Sequence, residues 1–128
     1  MNSVILVGLG GALGSIARFK ISAAALELAA GGRFPLGTFL VNVIGCLTIG
    51  VLAGLAAKDD FFSPDARLFF FTGITGGFTT FSAFGLETFT LIRRGDVLLA
   101  GGYVTASIVC GLLVLWVGYA VAANPFGR

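Results

Sequence analysis

Residues 72–87 read TGITGGFTTFSAFGLE, uncharged until Glu87 and set within a longer apolar run. Gly73, Gly76 and Gly77 punctuate the segment, and each Gly costs a helix about 1 kcal/mol relative to Ala. Thr79 and Thr80 follow, and threonine is a good N-cap. These signals predict one helix that stops near Gly76 and another that starts near Thr79. Backbone groups freed by such a break cannot face lipid; they are buried in protein, line a wet cavity or coordinate an ion. Carbonyls at the end of the first half suit a cation, and amides opening the second suit an anion. Phe78, Phe81 and Phe84 recur every third residue and are assigned to the second half. Such spacing reads either as a stripe facing lipid or core, or as ring edges, which are positive, offered to an anion where water is scarce.

Outward from this segment, the charges divide the chain into spans. Leu36 to Ala57 and Val97 to Ala123 contain no Asp, Glu, Lys or Arg, and Leu68 to Leu86 is also uncharged. Each of the first two exceeds the roughly 20 apolar residues that cross a bilayer as a helix. Near the N-terminus, Val4 to Ala17 is apolar before Arg18 and Lys20 interrupt it. No basic residue precedes that run, so it reads as a first helix rather than a signal peptide. Four transmembrane helices in one domain, residues 1–128, follow. The turns fall at Gly31-Gly32-Arg33, Lys58 to Asp65 and Arg94-Gly95-Asp96. The fold class is an all-α integral membrane protein with the third helix broken near Gly76-Thr79. Composition agrees: 57% of residues are hydrophobic and 11% charged, against about 25% charged in soluble domains.

The chain has no His, which excludes His-based metal sites and Ser–His or Cys–His nucleophiles. Cys46 and Cys110 lie in apolar spans and read as free thiols. A net charge of +2 gives no case for nucleic acid. The basic loop residues are balanced: Lys58, Arg67 and Arg128 fall on one side of the membrane, Arg33, Arg93 and Arg94 on the other. Because such residues set orientation, a balanced chain is able to insert both ways and pair antiparallel with itself. Gly10 with Gly14, and Gly50 with Gly54, form GxxxG pairs. They signal close helix contact, within the chain or between chains.

Polar residues stand inside the spans. Thr38 and Asn42 share a face of the second helix, and Tyr103 and Ser107 share one of the fourth. With Thr79, Thr80 and Ser82 they supply donors that replace the water of a small anion without a fixed charge to trap it. Each also reads as interhelical glue, worth about 0.6–2 kcal/mol. Arg18 lies near mid-depth, where an unpaired charge costs several kcal/mol; it reads as opening onto a wet vestibule or as snorkelling. Glu87 is placed at the end of the broken span, pairing with a basic neighbour or guarding an entrance.

GGALGSIAR with Arg18, GTFLVNVIG with Asn42, and above all GGFTTFSAF resemble the fluoride channel (Fluc) family across all four spans. The resemblance implies passive export of fluoride across the cytoplasmic (inner) membrane of a microbe, by a dual-topology antiparallel homodimer with two pores. It implies Phe81 and Phe84 as pore phenylalanines and Asn42 as the pore amide. Thr38, Tyr103, Ser107 and Glu87 join the permeation path, and Arg18 a vestibule. A structural sodium ion is implied at the dimer centre, held by the backbone carbonyls of Gly76 and Thr79. Ala83 and Gly85 stand where the family usually carries hydroxyls, and Phe19 where Tyr is frequent. The rival reading is a small multidrug exporter, also short and four-spanning. It needs a membrane-embedded carboxylate, whereas Glu27 and Glu87 are both expected near helix ends. An intramembrane enzyme lacks a catalytic dyad, and a purely structural subunit leaves Asn42, Arg18 and the break without a purpose.

Overall fold

The computed structural model describes residues 2–124, so Arg128 of the charge count lies outside the described residues. Four helices have the length and apolar composition to cross a membrane: Ser3–Leu28, Leu36–Ala56, Pro64–Arg93 and Val97–Ala123. The first runs unbroken through Arg18 and Lys20, and the Asn2 side chain caps it by accepting from the Val4 amide at 2.8 Å. Gly31 and Gly95 adopt positive φ of 83° and 86° in the connecting turns, a region open to glycine without steric penalty. Arg33 and Asp96 pair at 3.0 Å and tie the first turn to the third.

The packing inverts that of a soluble protein. Tyr103 and Val41 are the largest fully buried side chains, while Leu98, Leu112, Leu113 and Trp116 point outward. Lipid solvates those apolar surfaces, so helices associate through close backbone contact rather than hydrophobic burial. Glycine provides it. A methyl on Gly10 would come within 2.6 Å of the Phe69 carbonyl oxygen, and one on Gly14 would collide with that of Ile74. Gly50 likewise meets the Leu115 carbonyl, and Gly54 that of Tyr119. Both GxxxG pairs therefore pack within the chain, the first helix on the third span and the second on the fourth.

The third span changes geometry along its length. Pro64–Arg67 starts it, Leu68–Thr75 winds as a π-helix, and Gly76–Phe78 is α-helical. π-Helical turns are rare and concentrate at functional sites. Thr79 (φ −82°, ψ 155°) and Thr80 (φ −148°, ψ 112°) are then extended, and Phe81–Arg93 begins a new helix. The first half thus ends two residues after Gly76 and the second begins two residues after Thr79. Gly76 and Gly77 remain helical, and the missing side chain of Gly77 serves packing: it lies against Gly11, where a methyl would come 2.6 Å from the carbonyl oxygen. Two further expectations are corrected. Phe78 closes the first half and is buried, so Phe78, Phe81 and Phe84 do not form one helical stripe. Glu87 does not end the span, since the helix continues to Arg93.

Candidate functional site: a polar ladder beside a broken helix

Threonine side chains build the break. Thr79 donates to the Thr75 carbonyl from both its amide, at 3.1 Å, and its hydroxyl, at 3.0 Å, which closes the first half. Thr80 opens the second half by accepting from the Ala83 amide at 3.2 Å, the N-cap arrangement. Across the gap, Asn42 accepts from the Thr80 amide at 3.0 Å and donates to the Thr80 carbonyl at 3.2 Å. Arg18 donates from Nε to the Gly77 carbonyl at 3.2 Å. Among the described residues, no hydrogen bond reaches the carbonyls of Gly76 and Thr79.

The two polar pairs of the second and fourth helices face each other and form two rungs. In one, Thr38 and Tyr103 donate to opposite oxygens of Glu87, at 2.7 and 3.0 Å. Among the described residues Glu87 has no basic partner; the two hydroxyls take its place. In the other rung, Asn42 holds Thr80, and among the described residues the buried Ser107 hydroxyl has no hydrogen-bond partner. Residues four apart on a helix are about 6 Å apart along its axis, which sets the spacing of the rungs.

Two clefts open beside these rungs. One, of about 390 Å³, is lined by Asn42, Thr79, Thr80, Phe81, Phe84 and Ser107 among others. The second, of about 380 Å³, reaches Thr38 and Glu87 from Phe19, Ser22 and the first turn. Aromatic rings bridge them: Phe81 lies 5.9 Å from Phe84, and Phe84 5.2 Å from Tyr103, between centroids. Phe81 is 84% exposed, whereas Tyr103 is wholly buried. Asn42, Thr79, Phe81, Phe84 and Ser107 thus meet in one cleft. Thr38 and Glu87 belong to the other, and Tyr103 reaches both groups. Gly76 and Arg18 flank the break.

Of the two threonines, Thr80 rather than Thr79 is the N-cap of the second half. Its signal was present: Thr80 is the last polar residue before the amphipathic run that starts at Phe81. Thr75, buried and donating to the Phe70 carbonyl at 2.9 Å, carries no local signal that sets it apart from the other hydroxyls of the span. Chemically, the first cleft offers amide and hydroxyl groups and aromatic rings, with no carboxylate among the described residues that line it. That set accommodates a small anion.

The family described as "CrcB-like protein, Camphor Resistance (CrcB)" matches residues 5–119. A protein named fluoride-specific ion channel FluC, from Methylobacillus flagellatus, is 58% identical over 119 residues, covering 93% of each chain. Proteins of the same name from Nitratidesulfovibrio vulgaris and Hyphomonas neptunium are 43% and 45% identical. The former alignment covers 92% of this chain and 94% of the relative, the latter 98% and 99%.

Proposed function

The chain belongs to the CrcB-like family, and from that membership we infer that it is a fluoride-specific ion channel of the membrane that its four helices span. The observation that carries this reading is the 58% identity to a fluoride-specific channel over nearly the whole length. The chemistry of the first cleft is consistent with it. Fluoride is small and strongly hydrated, so a path must replace its water with donors. Asn42 keeps one N–H beyond the one given to Thr80, and among the described residues the Ser107 hydroxyl is uncommitted. Phe81 and Phe84 add ring edges. Among the described residues no lysine or arginine lines this cleft, so the ion would meet donors without being trapped by a full charge. Thr38, Tyr103 and Glu87 would extend the path along the second rung. Arg18 retains N–H groups beyond the one given to Gly77 and would draw anions toward the break.

The working unit is proposed to be an antiparallel homodimer with two such paths. The carbonyls of Gly76 and Thr79, without a hydrogen bond among the described residues and beside an exposed Phe81, would form a surface within the span that lipid cannot satisfy. A second, inverted copy would cover it. The same two carbonyls fit a hard monovalent cation, because oxygen dipoles at a helix break form such sites. Gly76 and Thr79 would hold a structural sodium ion, which neutralises the facing dipoles of the two breaks. The test of function is ion efflux from liposomes containing the purified protein. Fluoride efflux well above chloride efflux is expected; equal rates would refute selectivity, and no flux would refute the channel.

A further inference from the structure

In an uninterrupted α-helix the amide of residue 80 donates to the carbonyl of residue 76, four positions back. Here that amide donates to Asn42 Oδ1 instead, and the Thr80 carbonyl accepts from Asn42 Nδ2. The side-chain amide of the second helix behaves as a peptide group would, exchanging both bonds with one extended residue. Of the consecutive carbonyls of Thr75, Gly76 and Gly77, the outer two are occupied, by Thr79 and by Arg18. Among the described residues the middle one accepts nothing.

We propose that Asn42 is a positioning residue for the cation site: by holding the Thr80 amide, it keeps the Gly76 carbonyl free to coordinate. This rests on the reading of Gly76 and Thr79 as cation ligands, and it is separate from any contact between Asn42 and fluoride. Without the Asn42 oxygen, the Thr80 amide would be an orphan donor at membrane depth. An unpaired buried amide is strongly disfavoured, and the nearest helical remedy is a bond to the Gly76 carbonyl. That bond would compete directly with the cation. The Thr80 amide is thus a switchable donor, and Asn42 decides where it points.

The two hydrogen bonds allow the roles to be separated. Asn42→Asp retains an oxygen for the Thr80 amide but loses the N–H for its carbonyl. Asn42→Leu loses both, and Asn42→Ser is too short to reach. Purified wild-type and variant proteins would be titrated with sodium against choline at constant ionic strength, with thermal stability as the readout. Flux is not the readout, since every substitution also alters the cleft. Wild type should show a saturable rise in Tm. Asn42→Asp should reach half-saturation at a sodium concentration equal to or below that of wild type. Asn42→Leu should need at least about tenfold more sodium, or show no response. Should Asn42→Leu fail to assemble, Asn42→Ser carries the same tenfold expectation. A wild-type sodium response retained unchanged in Asn42→Leu or Asn42→Ser would overturn the proposal while leaving the cation site standing. Absence of any sodium response in wild type would remove the cation site, and this proposal with it.

Discussion

Arg18 reaches from the first helix to the last turn before the break, its Nε 3.2 Å from the Gly77 carbonyl oxygen. The contact gives a partner to a charge that lies well inside the first span. A half-helix that ends inside the membrane leaves unpaired carbonyls and a partial negative charge. A cation there meets both demands, which offsets the roughly 2.5–3.5 kcal/mol of placing arginine near the centre of a span.

Arg18→Leu should therefore destabilise the protein by about 1–3 kcal/mol, the scale of a buried acceptor left unpaired. Thermal unfolding in detergent is the measurement. A rise in stability would mean that desolvation of the arginine outweighs its bond to Gly77.

Phe81 and Phe84 make opposite demands on their surroundings, one exposed and one half-buried against Tyr103. Replacing either with Ile keeps bulk but removes the ring quadrupole. Fluoride efflux should fall by about fivefold for each ring edge that contributes on the order of 1 kcal/mol at the barrier. The variants should still elute as wild type on a sizing column. Unaltered efflux in both would return these rings to a packing role.

Glycines divide into two groups by what a methyl would meet. Gly14→Ala brings the new carbon against the Ile74 carbonyl and within 2.8 Å of the Phe78 nitrogen, so the first helix must shift. A loss of about 1–3 kcal/mol is expected for such overpacking. Gly102→Ala meets nothing within 4 Å in the chain and should raise helix stability by up to about 1 kcal/mol. A chain stabilised by Gly102→Ala yet poorer at forming dimers would locate Gly102 at the contact between copies.

The antiparallel pair predicts a genetic outcome. Two lysines added after residue 124 give one side five basic loop residues against three; two added at 31–34 reverse the bias. Either variant alone should insert mostly one way and export little fluoride, and co-expression should restore export. Full activity of one biased variant, with its single orientation confirmed by cysteine labelling, would rule out the antiparallel dimer.

The four spans, the break in the third and the polar residues around it were legible from local rules. Uncharged length sets what can cross lipid, and Thr79-Thr80 after two glycines marks a helix boundary to within three residues. Three matters belonged to tertiary structure. Whether Gly10, Gly14, Gly50 and Gly54 serve one chain or two depends on which backbone lies opposite, and periodicity carries no such information. The break falls at Thr79 and Thr80 because Gly77 packs on Gly11 while Asn42, 38 residues away in sequence, claims the Thr80 backbone. Glu87 stays inside the span because hydroxyls from two other helices converge on its oxygens. Each of these is a long-range pairing of one polar or close-packed group with another. Local propensity governs where a helix is able to end; the partner across the interface decides where it does.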